Sequence, residues 1–169
     1  MTQGTGKSLS SFDEWYTRNA TPLYGYILTI VQHRHDADDI LQTLCIRFFS
    51  NAELMAKLTT NAPYLYRAAR NECLQLIRQR ARAPQRTAMD FLNLLEAGDA
   101  NSSPQREDAR AMNTLLAKLP DEQREVVMLR IYNDMTLEEI AEIAAASVST
   151  VHKRYQTGMQ KLREWWPHE

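Results

Sequence analysis

The chain has 169 residues, 44% hydrophobic and 24% charged, with a formal net charge of −1. That composition fits one globular domain or two small ones and argues against wholesale disorder. Five glycines and few alternating Val/Thr-rich runs argue against a sheet protein, and apolar stretches broken by charges argue against a membrane span.

Residues 1–10 read as a flexible tail without the apolar segment of a secretory signal, so the expected location is the cytoplasm. Ser11-Phe-Asp-Glu14 fits a capping box opening a helix to about Gln32. A second helix begins near Asp36, its apolar stripe made by Ala37, Ile40, Leu41, Leu44, Cys45, Phe48 and Phe49. Those positions recur at the 3.6-residue period of a half-buried helix. Residues 50–62 are less regular and lead to Pro63, a suitable first residue for the next helix. That helix runs to about Arg82 and buries Leu65, Ala68, Ala69, Cys73, Leu76 and Ile77. Together these elements make a first domain over 11–83.

From 84 to 107 the periodicity fails. Pro84, Gly98, Ser102, Ser103 and Pro104 mark a flexible linker, with one short helical turn possible at Phe91–Leu95. The second domain, 108–169, reads as four helices. Leu115, Leu116 and Leu119 close the first before Pro120, and Val126, Val127, Leu129 and Ile131 belong to the next. Thr136-Leu-Glu-Glu139 is a further capping box, opening a helix with Leu137, Ile140, Ala141 and Ala144 on one face. Ser147 caps the last helix, whose buried side is Val148, Val151, Tyr155, Met159 and Leu162. The fold class is all-α: two small helical domains joined by a linker.

Mapped along the chain, the near-zero charge resolves into opposed blocks. Arg67, Arg70, Arg78, Arg80, Arg82 and Arg86 face one acid, Glu72, and are followed by Asp90, Glu96, Asp99, Glu107 and Asp108. A basic patch beside an acidic segment is compatible with nucleic-acid binding despite the average. Cys45 and Cys73 sit at apolar helix positions without zinc-site spacing and read as reduced thiols. His33, His35, His152 and His168 form no ligand cluster. No metal, no cofactor and no catalytic triad are expected, and the chain does not read as an enzyme.

Three helix faces carry the functional signal. The last two helices, joined by a three- or four-residue turn, make a helix-turn-helix. Ser147, Ser149, Thr150, His152, Lys153, Arg154, Thr157 and Lys161 lie at its cap or on its outward side. They would meet bases and phosphates in a major groove, or else form a solvated bundle face. The helix after Asp36 shows Asp38, Asp39, Gln42, Thr43, Ile46, Arg47 and Ser50. An isoleucine among carboxylates and an amide suits a protein-docking surface, although a lone exposed Ile is often without meaning. The helix after Pro63 presents Tyr64, Tyr66, Arg67, Arg70, Asn71 and Arg78. Rings interleaved with guanidinium groups stack on unpaired bases; the alternative makes the tyrosines core edges and the arginines a solvated face.

In this order the pieces resemble the extracytoplasmic-function (ECF) class of bacterial sigma factors. Asp36-Ala-Asp-Asp-Ile-Leu-Gln42 is similar to the family's docking segment for the polymerase clamp. Pro63-Tyr-Leu-Tyr-Arg-Ala-Ala-Arg-Asn71 with Leu76-Ile-Arg78 resembles its melting and downstream-element segment. Leu119-Pro-Asp-Glu-Gln-Arg124, Thr136-Leu-Glu-Glu-Ile-Ala141 and Thr150-Val-His-Lys-Arg154 resemble its upstream-element reader. The resemblance implies that Asp36, Asp38, Asp39, Gln42, Ile46 and Arg47 bind core RNA polymerase. It implies that Tyr64, Tyr66, Arg67, Arg70, Asn71 and Arg78 meet promoter DNA, with residues 51–62 forming a loop that captures a flipped base. It places Lys153 and Arg154 in the upstream groove and admits an anti-sigma factor as a partner, without membrane insertion.

The chain departs from the family at Thr43, where a carboxylate is usual, and at Ala145, Ser147 and Ser149 in and after the turn. At Thr43 either the missing charge is tolerated or a phosphate supplies it. Alanine disfavours the positive φ that a glycine at position 145 would accept. The alternative reading is a helix-turn-helix transcriptional regulator with an N-terminal helical sensor or interaction domain. It leaves the acidic stripe and the Tyr/Arg helix unexplained.

Overall fold

A computed structural model describes residues 5–81 and 104–166, with the side chains of 5–12, 59–60 and 104–110 outside that description. Among the described residues there are eight α-helices and no strand: α1 (Thr5–Val31), α2 (Arg34–Phe49), α3 (Ala52–Thr60), α4 (Ala62–Arg80), α5 (Pro104–Lys118), α6 (Asp121–Ile131), α7 (Leu137–Ala144) and α8 (Val148–Trp165). None is long and apolar enough to cross a membrane. The all-α expectation and the four-helix second unit hold. The short turn expected at Phe91–Leu95 falls outside the described residues.

Local signals set most boundaries. Asn51 caps α3 by accepting from the Glu53 and Leu54 amides at 3.0 and 3.1 Å. Asn61 accepts from Tyr64 N at 3.1 Å and starts α4, with Pro63 in its first turn where no amide is needed. Thr136 and Glu139 close the expected capping box on α7, with bonds of 3.2 and 2.8 Å. Ser147 caps α8 through Thr150 N at 3.1 Å.

Several expectations are corrected. The first helix starts at Thr5, so Ser11–Glu14 lies inside it rather than at its start. Residues 52–60 form a helix rather than a base-capturing loop: the Asn51 cap starts it, and Leu54, Met55 and Leu58 anchor it to the core. The helix expected to open near Asp108 begins at Pro104. Phe49, Ile77, Ile131 and Val148, expected inside, are about two-fifths exposed because each lies in a terminal turn, where neighbouring helices give less cover.

One apolar core runs through both units. Trp15, Leu23, Tyr26 and Ile27 of α1 meet Leu44 and Phe48 of α2 and Leu65, Ala69 and Cys73 of α4. Val126, Leu129, Met135, Ile140, Ile143 and Val151 of the second unit continue the same cluster. Each fully buried Leu, Ile or Val contributes about 1.5–3 kcal/mol of transfer free energy, before the entropy cost of ordering it. Helix α1 packs on α6 and α4 on α7, so the two units form a shared interface. A smaller cluster of Leu115, Leu116, Leu119, Val127 and Leu162 fastens α5 and α8 to α6.

Candidate nucleic-acid and partner interfaces

Helix α2 turns one stripe to solvent. Asp39, Gln42, Thr43, Ile46, Arg47 and Ser50 are exposed, Ile46 at 68% of its surface. Asp38 is half-buried. The Arg47 guanidinium pairs with Glu72 of α4, pinning α2 against that helix. Asp36 is placed differently from its neighbours: it is buried, ion-paired to Arg80 and within 3.4 Å of His33 Nδ1. Its carboxylate fastens α2 to the end of α4 and presents little surface to a partner. Thr43 Oγ1 donates back to Asp39 O at 2.8 Å, a bond internal to the helix. Asp39, Thr43, Glu72, Gln75 and Gln79 line a shallow open cleft of about 510 Å³ between α2 and α4.

Helix α4 divides its candidate residues between two faces. Arg67, Asn71 and Arg78 are exposed along one stripe, with Tyr64 half-buried beside them. Tyr66 and Arg70 lie on the adjacent stripe and turn toward the second unit. Tyr66 is 6% exposed, and its hydroxyl accepts from Asn133 Nδ2 at 2.7 Å. Arg70 Nε donates to Glu125 Oε1 at 2.8 Å. The same oxygen accepts from the Tyr26 hydroxyl at 2.8 Å, and Tyr26 meets Tyr66 edge to face with centroids 5.2 Å apart. The expectation that Tyr66 and Arg70 lie open to DNA therefore does not hold in this arrangement, because α6 and α7 cover them.

The buried setting shows in the titration of its members. Burial, reinforced by the Glu125 carboxylate, pushes the Tyr26 phenol well above its ordinary value. Burial raises Tyr66 to about 12 against the opposing hydrogen bond from Asn133. Burial and then Glu125 raise the Cys73 thiol to about 12, and burial raises Cys45 as well. Both cysteines are free and protonated at neutral pH, as hydrophobic thiols should be.

The helix-turn-helix consists of α7, a turn at residues 145–147, and α8. Ala145 occupies the left-handed region at φ 50°, ψ 46°. Ser147, Ser149, Thr150, His152 and Lys153 are exposed, and Thr157 is half-buried. Arg154 is held at 2.7 Å from Glu122 of α6, with 22% of its side chain exposed. On the opposite side of α8, Gly158 lets the helix approach α6: a Cβ there would stand 3.0 Å from Val127 Cγ2. Sequence reasoning missed Tyr26, Glu125 and Asn133. The only local hint was a carboxylate directly before the apolar run Val126–Val127.

Residues 15–83 match the family Sigma-70 region 2, and residues 115–164 match Sigma-70, region 4. With both regions in order on one helical chain, the protein belongs to the sigma-70 family of RNA polymerase sigma factors, and the curated relatives it is similar to include sigma factors of the ECF class. It is 27% identical to the ECF RNA polymerase sigma factor SigE of Mycolicibacterium smegmatis, over 96% of this chain and 64% of that one. It is 26% identical to the ECF RNA polymerase sigma factor SigW of Bacillus subtilis, over 84% and 81% of the two chains. The chain thus spans just under two thirds of the first relative's length and about four fifths of the second's. Two solved structures share its fold. The sigma factor RpoE in complex with the anti-sigma factor NepR from Bartonella quintana matches with a TM-score of 0.65 at 18% identity, covering 91% of this chain and 95% of that one. CnrH in complex with the cytosolic domain of CnrY matches with a TM-score of 0.57 at 19% identity, covering 90% and 85%.

Proposed function

We propose that this sigma factor carries core RNA polymerase to its promoters in the cytoplasm and assists their melting, with three surfaces dividing the work. The exposed stripe Asp39–Gln42–Ile46 of α2, with Asp38 and Arg47 at its margins, docks on the polymerase. Tyr64, Arg67, Asn71 and Arg78 of α4 meet the melted strand and its downstream element. Ser149, Thr150, His152, Lys153 and Arg154 of α8 read the upstream element in the major groove. The work needs no cofactor and no catalytic group of its own. An anti-sigma factor is a natural partner for these surfaces, since the sigma factor RpoE, which shares this fold, was captured with the anti-sigma factor NepR.

The observation that carries the reading is the pairing, in one chain, of a polar docking stripe centred on a 68%-exposed isoleucine with a helix-turn-helix. The alternative, a helix-turn-helix regulator with an N-terminal sensor or interaction domain, does not account for an acidic stripe on α2 beside a Tyr/Arg helix. Core binding and core-dependent transcription from a genomic fragment library test it. Asp39→Lys should abolish most of both while changing stability by about 0.5 kcal/mol or less, because the residue sits on a solvated face. Unchanged core affinity for that variant would remove α2 from the docking surface, and absence of transcription with the wild-type chain would overturn the reading altogether.

A further inference from the structure

The packing of α8 on α6 brings the first turn of α6 beside the N-terminal half of α8. Gly158 faces α6, where a Cβ would stand 3.0 Å from Val127 Cγ2 and 3.5 Å from Gln123 Cβ. Arg154 lies one helical turn before Gly158 on the same face of α8, next to the start of α6. A helix start is the positive end of the helix dipole and by itself repels a guanidinium. Two carboxylates in that turn, Asp121 and Glu122, offset the repulsion. They divide their partners. Asp121 pairs with Arg124 of its own helix, whereas Glu122 Oε2 stands 2.7 Å from Arg154 Nη2 across the two helices. The Glu122 side chain is 66% exposed, so the pair contributes little to stability. What it contributes is direction. An arginine already held loses less rotamer freedom when it docks on a base than one swinging in solvent. The contact is to one terminal nitrogen of a group with five N–H donors, which leaves donors for the two acceptors of a guanine edge.

We propose that Glu122 is a positioning residue for promoter recognition: it holds the Arg154 guanidinium in the direction that reads a base edge of the upstream element, and so sets sequence discrimination without touching a base itself. The inference rests on the reading of Arg154 as a base contact. A carboxylate close to DNA also repels its phosphates, which weakens binding to every sequence alike. Removing Glu122 therefore has two effects of opposite sign, less discrimination and no loss of general affinity. A residue that merely held the fold together would lower both.

The test uses the full chain assembled on core RNA polymerase and two promoter duplexes. One carries an upstream element selected by the wild-type holoenzyme from a random-sequence library, and the other carries the same element scrambled. Discrimination is the ratio of the two Kd values. Glu122→Ala should lower it by about fivefold, the lower end of what one bidentate base contact supplies. Affinity for the scrambled duplex should hold or rise, and Tm should stay at the wild-type value. Arg154→Ala should lower discrimination at least as far, and adding Glu122→Ala to it should lower it no further, since the two act as one unit. Glu122→Gln, which still accepts a hydrogen bond, should fall between wild type and Glu122→Ala, and it carries the test should the alanine variant fail to fold. Glu142→Gln, on an exposed carboxylate of α7, controls for charge alone and should leave the ratio unchanged. Wild-type discrimination in Glu122→Ala while Arg154→Ala loses it would overturn the positioning role, as would an equal loss in Glu142→Gln. Wild-type discrimination in Arg154→Ala would instead overturn the reading of Arg154 as a base contact, and the inference with it.

Discussion

Helices α4 and α8 were both read as promoter-facing from the same kind of evidence, polar and basic residues on one side of an amphipathic pattern, yet the fold treats them differently. Helix α8 rests on α6 and α7 of its own unit and leaves Ser149, Thr150, His152 and Lys153 in solvent. Helix α4 rests on its own unit and on α7 as well, and on this side Tyr66 is buried beside Asn133 of the α6–α7 connection and Arg70 pairs with Glu125 of α6. The polarity of a helix face indicates where a partner belongs; it does not say whether that partner is nucleic acid or another part of the same chain. Aromatic and guanidinium groups satisfy either one.

The clearest break in the comparison comes from the inner side of α8. Gly158 lies against α6, with Val127 fully buried beneath it. Gly158→Val gains helix propensity but drives methyl groups into a packed contact, and overpacking of this kind costs about 1–3 kcal/mol. The expected result is a lower chemical-denaturation midpoint and loss of upstream-element binding together, since α8 cannot keep its place on α6. A midpoint equal to wild type would mean that α6 and α8 yield at this contact, and that the orientation of α8 is not fixed there.

A somewhat smaller effect separates reading from holding. Arg154→Ala should cost roughly 1–3 kcal/mol of upstream-element affinity if the guanidinium reads a base edge. Losing its pair with the exposed Glu122 should add little, about 0–1 kcal/mol of stability at most. Arg67→Ala on the exposed stripe of α4 should instead weaken all sequences about equally and flatten the salt slope by about 0.7–0.9. Parallel titrations on specific and scrambled DNA distinguish the two. If Arg154→Ala behaves like Arg67→Ala, α8 holds the backbone and sequence is read elsewhere.

Much of this architecture was legible in the sequence, because its determinants are local. The caps at Thr136 and Ser147 sit within three residues of the amides they serve, and the α2 stripe repeats within two turns. The α3 helix was missed because its nine residues offer few periodic positions, and its Asn51 cap resembles any turn asparagine. The start of α1 was misplaced because a capping-box pattern at Ser11 is compatible with a helix that already exists. The Glu125 contacts lie beyond any local window: Tyr26 is 99 residues away and Arg70 is 55. Asp36 shows the converse, since its run of acids suggests a uniform docking face, and only the tertiary position of Arg80 turns that one carboxylate inward.

The smallest expected effect lies at the joint between the two helices whose neighbours differ. Ala145 ends α7, the helix that packs on α4, and sets the direction in which α8 leaves. It holds φ 50°, ψ 46°, while the next amide, Ala146 N, donates to Ala141 O at 3.0 Å and closes the helix end. A Cβ in the left-handed region costs about 1–2 kcal/mol, which glycine avoids. Glycine in turn adds freedom to the unfolded chain, worth about 0.4–1 kcal/mol in the other direction. Ala145→Gly should therefore stabilise the protein by about 0.5–1 kcal/mol, a rise in Tm of about 1–4 °C for a chain of this size. Ala145→Val, branched at Cβ, should lower Tm by more than glycine raises it. DNA affinity of the glycine variant should stay at the wild-type level, because the turn it relaxes keeps the same hydrogen bond. A glycine variant melting at or below the wild-type temperature would show that the turn bears no strain at Ala145, and that its left-handed geometry is supported by neighbouring contacts rather than imposed against the residue's preference.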